Sequence, residues 1–424
     1  MFVAVPVWHS IRGHSTKDYW VWYETGQTVL QGGEIYPDQW HKFPFMYPPP
    51  CALFLAPISA LGQTGLVVVL ALVSAAGWIC SIIFSVRLAT GKWRGADTLL
   101  YVAPSLIMGA HAWGNFLLGQ PSLVLLALML GGFIALQRRF HWLAGALIAI
   151  AAAIKAFPAI TIVYLIYRRY WIATASLVLT VTIFLVLPLP FRGYALAKQD
   201  LERWSSGMLF KYDETGTGQR LGRSYSWKNQ AIWGVANRLL RHVEYDHKYE
   251  PHEPVYANFA DLDFRTVNAI ILACALGLGL FFITVIPRAA RRPVGDAEKA
   301  LRSKIDASHS EAATEDRTRG RTPETDAIEF ALLLLLMLIF TPLSFGYLFV
   351  WLLYPLTVVG QCLLSGSAAR TVLLGCAGTA VALLALTIPF RVSAQVYGNT
   401  LFAALLLFAG LGIELWARKR AVVG

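Results

Sequence analysis

The chain has 424 residues, of which 56% are hydrophobic and 14% are charged, and its net charge is +11. Globular domains carry about 25% charged residues, so this composition excludes an ordinary soluble protein and predicts a membrane protein. The basic residues form short clusters between apolar runs, which is typical of cytoplasmic loops and not of a nucleic-acid-binding surface. The five cysteines have no CxxC spacing, so neither disulfides nor a metal site is expected.

The chain begins with an apolar stub, Met1 to Trp8, which is too short to cross a bilayer because a crossing needs about 20 helical residues. The stub has no basic segment and no cleavage site, so it does not match a signal peptide. Because the loop after it is expected on the outer face, we expect that truncation has removed a first transmembrane helix. A protein that functions without such a helix is the alternative.

Residues 9–50 are predicted to form the first outer loop. Asp18 begins an aromatic-rich helix, which the pair Gly32 and Gly33 ends. The prolines after Tyr47 predict that the backbone is extended and rigid where the chain returns to the membrane. A stiff polar loop between apolar helices is a suitable position for the catalytic residues of a membrane enzyme.

The rest of the chain alternates apolar stretches with basic or polar connections. This pattern predicts an all-α polytopic membrane protein, with one membrane domain over residues 1–424 and about 11 or 12 transmembrane or half-membrane helices. Trp142 to Tyr167 is broken at Lys155 and Pro158 and has basic pairs at both ends. Equal charge at both ends favours a hairpin of two short helices, with Lys155 near its tip. A single long helix is the alternative, and it would reverse the topology after it.

Two long connections stand out in the second half. Residues 192–263 are predicted to form a large outer loop, in which Ser226 to His242 is typical of an interfacial amphipathic helix. Residues 291–326 have mixed charges and no aromatic residues, so they are predicted to form a disordered cytoplasmic linker. The sequence shows neither a soluble domain nor a clear internal repeat.

Two charged residues are the strongest catalytic candidates. Asp18 lies in the first turn of a helix, where a carboxylate is favourable even without a function, and Glu24 and Glu34 are rivals on the same loop. Lys155 interrupts an apolar run, which usually marks a functional or paired site, although a solvated hairpin tip would also explain it.

The order of several short motifs resembles glycosyltransferase family 87 of the GT-C superfamily, from Asp18 to about Leu356. After Asp18, these motifs are G-x-x-x-Y (Gly32 to Tyr36), Y-P-P (Tyr47 to Pro49), G-Q (Gly119, Gln120), A-G (Ala144, Gly145), K-x-x-P (Lys155, Pro158) and N-Q with a later arginine (Asn229, Gln230, Arg238). The resemblance implies a GT-C-like helix bundle with extracytoplasmic loops, a polyprenyl-phosphate sugar donor, and Asp18 as the catalytic carboxylate.

One segment departs from the pattern of this family. Relatives often show a tryptophan and one or two histidines after a Pro-x-Ser sequence, whereas residues 341–347 read TPLSFGY here. A histidine-dependent donor contact is therefore not carried over to this chain. The departure is consistent with a different sugar or acceptor.

The candidate residues and the resemblance together predict an inverting membrane hexosyltransferase. It would move a hexose, most simply mannose, from a polyprenyl-phosphate donor to a lipid or glycan acceptor on the extracytoplasmic face of the cell membrane. A phosphate leaving group needs a cation, and direct inverting displacement needs one carboxylate as the base. The expected site consists of the base Asp18, the phosphate-binding residues Lys155, Arg223, Lys228 and Arg238, and the substrate-lining residues Trp22, Tyr47, His111, Asn115, Gln120, Asn229 and Gln230.

This scheme requires neither a metal nor a cofactor, and its partners are the two substrates and membrane lipids, without nucleic acid. A transporter or flippase of a lipid-linked sugar is the main alternative function. It would show matching broken helices in the two halves, whereas only one such break is seen. A non-catalytic scaffold is a further alternative, and it would tolerate the loss of Asp18.

Overall fold

The protein is built almost entirely of helices. The computed structural model describes residues 2–14, 16–36, 44–217, 223–246, 252–287 and 322–423. Within these residues, the only strands are Tyr212–Asp213 and Gly216–Thr217, which pair antiparallel. The α-helices of this part are α1 (Ala4–Ile11), α2 (Asp18–Leu30), α3 (Pro49–Ser59), α4 (Gly62–Thr90), α5 (Thr98–Ile107), α6 (Gly109–Leu118), α7 (Ser122–Gln137), α8 (His141–Ile154), α9 (Thr161–Tyr167), α10 (Trp171–Val186), α11 (Pro188–Trp204), α12 (Ile232–Leu240), α13 (Phe264–Val285), α14 (Pro323–Phe340), α15 (Leu353–Ser365), α16 (Arg370–Ala385), α17 (Arg391–Val396) and α18 (Asn399–Val423).

Several of these helices are long and apolar enough to cross a membrane. In the described part of the chain there are four such spans by length and composition: Gly62–Thr90, Phe264–Val285, Gly346–Ser365 and Asn399–Arg420. The number rises to six if the bent pairs α6–α7 and α10–α11 each form one span. The prediction of an all-α polytopic membrane protein is confirmed. Many of the predicted helices are shorter than a full crossing, including α3, α5, α8 and α16.

The break at Lys155 forms the predicted hairpin. α8 ends where Lys155 adopts extended backbone angles (φ −147°, ψ 122°), and a 3-10 turn, Phe157–Ile160, leads into α9. The rings of His141 and Tyr170, which flank the hairpin, lie 5.5 Å apart. The chain therefore returns to the end at which α8 began, and the alternative of one long helix is wrong.

The A-G motif lies where α8 packs against α10. A Cβ atom added to Gly145 would lie 2.3 Å from the carbonyl oxygen of Ala173. Glycine is thus required for the close approach of these two helices. The Ser176 hydroxyl also donates a hydrogen bond of 2.7 Å to the carbonyl of Trp142.

The basic connections lie at the opposite end of the molecule from Asp18. α4 has 29 residues and is therefore about 44 Å long. At its start, Gln63 donates a hydrogen bond to the Thr16 hydroxyl, close to Asp18. At its far end, the guanidinium carbons of Arg87 and Arg138 lie 5.5 and 5.2 Å from the ring centre of Trp93. The helix thus separates the segment that contains Asp18 from the basic residues at its other end.

The core contains a buried ion pair that joins α9 to α14. Arg168 and Glu329 are both buried, and their side chains form a salt bridge. The Tyr164 hydroxyl also donates to Glu329 at 2.6 Å, and Arg168 donates to the carbonyl of Pro287 at 2.6 Å. Buried charges are tolerated when they are paired and hydrogen-bonded, so this cluster fixes the hairpin against α14.

Two predictions about the long connections need correction. The predicted interfacial helix is the shorter α12, and residues on both its apolar and polar faces, including Val235 and Arg238, are buried within the protein. Its apolar residues therefore pack against protein and do not lie in the lipid interface. Residues 291–321 of the predicted linker lie outside the described residues. The last residues of that linker, 323–326, instead form the first turn of α14, which Thr322 caps.

Candidate active site

A cavity of about 1290 Å³ lies at the end of the molecule that contains Asp18. Its described walls carry five cationic side chains and two carboxylates, in addition to aromatic and aliphatic groups. The cations are Lys17, Lys155, Lys211, Lys228 and Arg391, and the carboxylates are Asp18 and Asp246. The excess of positive charge suits an anionic ligand.

Asp18 is held in this cavity by a chain of hydrogen bonds. The amide nitrogen of Gln120 donates to Asp18 Oδ2, and the Tyr47 hydroxyl donates to Gln120 Oε1 at 3.1 Å. The Y-P-P and G-Q motifs therefore meet the Asp18 carboxylate directly. The preceding residue, Lys17, has a left-handed φ of +54°, which is uncommon for a residue other than glycine.

Two further hydrogen bonds fix the helix that carries Asp18. The indole of Trp22 donates to the carbonyl of Gly119 at 2.7 Å, and the Tyr19 hydroxyl donates to the carbonyl of Phe116 at 3.0 Å. Gly119 itself has a φ of +75°, and a Cβ atom there would lie 2.8 Å from the ring of Tyr19. The aromatic residues of α2 thus align its first turn, and Trp22 also lines the cavity.

Lys155 faces the same cavity from the hairpin tip. Its Nζ atom lies 5.9 Å from the ring centre of Tyr47, 5.6 Å from that of Tyr347 and 5.9 Å from that of Phe157. An ammonium group within about 6 Å of an aromatic ring is attracted to the face of that ring. Because Tyr47 contacts Lys155 and also bonds to Gln120, the structure brings Lys155 and Asp18 into one site.

The rival carboxylates do not reach the cavity. Neither Glu24 nor Glu34 is among its lining residues. Glu34 accepts hydrogen bonds from Arg203 at 2.8 Å and from Gln199 at 3.3 Å, and the bond from Arg203 lowers the pKa of Glu34. In the described part of the loop, Asp18 is therefore the carboxylate that lines the cavity.

His111 and Asn115 have different roles on α6. His111 lines the cavity, and its Nδ1 atom lies 2.7 Å from the carbonyl oxygen of Gly346. Asn115 is fully buried and does not line it; its amide donates to the carbonyls of His111 and Tyr347 at 2.9 and 2.8 Å. Asn115 therefore supports the wall and does not contact a ligand, which corrects its predicted role.

The N-Q motif is also structural. Asn229 and Gln230 are fully buried and do not line the cavity, so their predicted contact with substrate is wrong. Asn229 donates to the carbonyls of Ser224 and Pro342, and its oxygen accepts from the backbone of Ser344 at 3.1 Å. The Gln230 side chain donates to the carbonyls of Trp227 and Gln395, both at 2.7 Å. The motif thus fastens the large outer loop to segments near residues 344 and 395.

Arg238 is likewise committed to the backbone. It is completely buried, and its guanidinium donates to five carbonyl groups at 2.8 to 3.3 Å, those of Tyr225, Ser226, Asn229, Gln395 and Val396. Because these bonds engage all three of its nitrogens, the predicted phosphate contact is corrected to a structural role. Among the other predicted phosphate ligands, Lys228 lines the cavity, and the side chain of Arg223 lies outside the described atoms.

The sequence profile of glycosyltransferase family 87 matches residues 45–303, which is more than half of the chain. The chain belongs to glycosyltransferase family 87. A curated relative from Mycolicibacterium smegmatis, a polyprenol-phosphate-mannose-dependent alpha-(1-2)-phosphatidylinositol mannoside mannosyltransferase, is 27% identical over 241 residues. That match covers 50% of this chain and 50% of the relative. No solved structure matches the chain significantly.

The match to glycosyltransferase family 87 includes Tyr47, Gln120 and Lys155, but it begins after Asp18. The case for Asp18 therefore rests on its hydrogen bond to Gln120 and on its place in the cavity. Within the described residues of this glycosyltransferase, no group of three or more His, Cys, Asp or Glu side chains is placed to hold a metal ion.

Replacement of Arg238 by methionine is expected to destabilise this family 87 protein without a specific effect on the donor. Five buried carbonyls would lose a charged donor, which we expect to lower the free energy of unfolding by about 2–4 kcal/mol. Thermal unfolding in detergent measures this change, with the exposed Arg265→Met as the matched control. Unchanged stability together with a raised KM for the donor would restore the phosphate-binding role.

Sequence reasoning missed several residues of the glycosyltransferase cavity. They include the cations Lys17, Lys211 and Arg391, the carboxylate of Asp246, and the aromatic residues Phe345 and Tyr347. Two signals pointed to this part of the cavity. Arg391 is the single basic residue of the connection 386–398, and the two aromatics belong to the TPLSFGY segment that departs from the family pattern.

Proposed function

We propose that the protein transfers a hexose, with mannose expected, from a polyprenyl-phosphate sugar to a hydroxyl group of a lipid or glycan acceptor. The observation that carries this proposal is that Asp18 and Lys155 line one cavity and are linked through Gln120 and Tyr47. The donor named for the Mycolicibacterium smegmatis relative supports the choice of a polyprenol-phosphate sugar.

Asp18 is the proposed general base. The acceptor hydroxyl gives its proton to the Asp18 carboxylate, and its oxygen bonds to the anomeric carbon of the sugar. The bond from that carbon to the phosphate oxygen breaks at the same time, and the electron pair leaves with the lipid phosphate. Retention would need a second carboxylate as a nucleophile about 5 Å from the first. Direct displacement needs only one carboxylate, and Asp18 supplies it, so we propose inversion.

Lys155 is the proposed partner of the leaving group. Negative charge grows on the phosphate ester as the bond to the sugar breaks, and a fixed ammonium group stabilises that charge more in the transition state than in the ground state. The aromatic rings around Lys155 hold its Nζ atom at the cavity wall.

An apolar strip of the cavity suits the lipid part of the donor. It comes from α5 and from the end of α16 with the residues after it, and includes Leu106, Ile107, Val381, Leu384 and Ile388. Leu106 and Ile388 are 74% and 78% exposed, so this side of the cavity opens towards the surroundings of the helix bundle. A polyprenyl chain would cover such a surface while the phosphosugar stays near Asp18.

We also propose that the cavity lies on the extracytoplasmic side of the cell membrane. The basic connections around Arg87 and Arg138 lie at the other end of α4 from Asp18. Basic loops favour the cytoplasmic side, which supports an outer position for the cavity.

The test is sugar transfer by the purified protein in detergent or proteoliposomes, with labelled polyprenyl-phosphate-mannose and a phosphatidylinositol mannoside acceptor. We expect a labelled product with the anomeric configuration opposite to that of the donor, and no transfer from a nucleotide sugar. Movement of the donor across proteoliposomes without any transfer would instead support a flippase.

A further inference from the structure

His111 uses one ring nitrogen to bind the protein and leaves the other accessible. Its Nδ1 atom lies 2.7 Å from the carbonyl oxygen of Gly346. A carbonyl oxygen can only accept a hydrogen bond, so Nδ1 carries the proton and donates it. Within the described part of the chain, Nε2 has no hydrogen-bond partner and is not fully enclosed by protein. Because His111 lines the cavity, the accessible Nε2 atom is open to a ligand there.

Neighbouring contacts fix the orientation of this imidazole ring. One turn further along α6, the buried amide of Asn115 donates to the carbonyls of His111 and Tyr347 at 2.9 and 2.8 Å. A Cβ atom added to Gly114 would lie 4.0 Å from the side chain of Tyr347, so α6 packs directly against this segment. The backbone on both sides of the bond from Nδ1 is therefore held in place, and Nε2 has a defined direction.

The proton on Nδ1 determines which groups can bind to Nε2. Histidine is mostly uncharged above about pH 7, and in a neutral ring with its proton on Nδ1 the other nitrogen can only accept a hydrogen bond. The phosphate of a polyprenyl-phosphate sugar is ionised at this pH and has no proton to donate, so it does not suit Nε2. The hydroxyl groups of the sugar do have such a proton. They are therefore the polar groups of the donor that match this atom.

The position of His111 relative to Lys155 favours the donor sugar as its partner. Gly346, which binds Nδ1, directly precedes Tyr347, and the ring centre of Tyr347 lies 5.6 Å from the Nζ atom of Lys155. Lys155 is the proposed partner of the phosphate to which the donor sugar is bonded. The hydroxyls of that sugar lie only a few bonds from the phosphate. His111 and Lys155 are thus placed beside the same short segment, one as a hydroxyl acceptor and the other as a phosphate partner.

We infer that His111 accepts, through Nε2, a hydrogen bond from one hydroxyl group of the donor hexose and so contributes to the choice of sugar. This inference rests on the proposed function. A donor that lacks this hydroxyl leaves Nε2 without its partner in the closed site, which lowers the stability of the transition state. A contact with the phosphate alone would not distinguish one sugar from another. His111 is therefore a specificity-determining residue.

The test measures kcat/KM for labelled polyprenyl-phosphate-mannose and for analogues that each lack one sugar hydroxyl. For each analogue, the discrimination ratio is kcat/KM of the complete donor divided by that of the analogue. His111→Asn is expected to lower this ratio by about tenfold for one analogue and to leave it unchanged for the others. Asparagine can keep the bond to Gly346 because its amide reaches the position of Nδ1, but it places no atom at Nε2. His111→Gln, whose longer side chain brings its amide close to the position of Nε2, should recover part of the ratio.

The discrimination ratio compares two donors in one protein sample, so it does not depend on how much of a variant is folded. His242→Asn, an exposed histidine outside the cavity, is the matched control and should show wild-type ratios. Wild-type ratios for every analogue in His111→Asn would overturn the inference and leave His111 with a structural role. A change that appears only with acceptors lacking a hydroxyl would overturn the assignment to the donor sugar. Absence of transfer from the complete donor by the wild-type protein would instead count against the proposed function itself.

Discussion

Replacement of Asp18 by asparagine is expected to lower kcat for sugar transfer by about a hundredfold or more, the scale of a lost general base. Asparagine keeps the size of the side chain and an oxygen that can accept the hydrogen bond from Gln120, so the site should stay in place. It cannot take the proton of the acceptor hydroxyl at neutral pH. The measurement is the initial rate of labelled mannose transfer at saturating donor and acceptor.

Glu24→Gln is the matched control for this experiment, because Glu24 lies on the same helix and outside the cavity. It should transfer sugar at the wild-type rate. Thermal unfolding of both variants shows whether the membrane fold is kept. Full transfer by a folded Asp18→Asn protein would remove Asp18 from the mechanism.

Replacement of Lys155 by methionine is expected to lower kcat by about 10²–10³, the scale for loss of one fixed group that stabilises transition-state charge. Methionine preserves most of the apolar stem and its packing against Tyr47, Phe157 and Tyr347. The leaving phosphate, however, would lose its nearest proposed cation. Lys155→Arg should recover part of the rate, since it restores the charge in a different geometry.

The kinetic constants distinguish the possible roles of Lys155. A fall in kcat with little change in the KM for the donor indicates stabilisation of the transition state, whereas a raised KM alone would indicate ground-state binding of the phosphate. The exposed Lys198→Met should leave both constants unchanged. Wild-type constants for Lys155→Met would refute a role in the reaction.

The sequence predicted those parts of the site that local chemistry dictates. A lysine inside an apolar run is unusual enough to be identified by itself, whereas Asp18 was selected because it lies beside several aromatic residues in a polar loop. Both residues line one cavity. The hairpin was predictable for a similar reason, because basic pairs at both ends of a broken apolar stretch allow few arrangements. Each of these signals depends on residues close together in the chain.

The large outer loop was less predictable, because its polar residues are buried by distant segments. Arg238 and Asn229 look like surface residues in the sequence, yet they bond to carbonyls near residues 342 and 396. Burial by distant segments also explains why the amphipathic sequence of α12 was wrongly predicted to lie at the lipid interface. An apolar face in a sequence does not reveal whether protein or membrane will cover it, and no local pattern placed Arg391 beside Trp227.

The bonds from the large outer loop to the carbonyls of Gln395 and Val396 also bear on how the protein is made. These carbonyls belong to α17, which is followed in the chain by α18. A chain that folds while it is synthesised has the Asp18 segment in place long before these partners exist. Until these partners have been synthesised, the charged side chain of Arg238 would have to stay in contact with water or with a chaperone. The wall of the cavity is thus completed only after residues 395 and 396 have been synthesised, so the Asp18 segment acquires a closed substrate site long after it has itself left the ribosome.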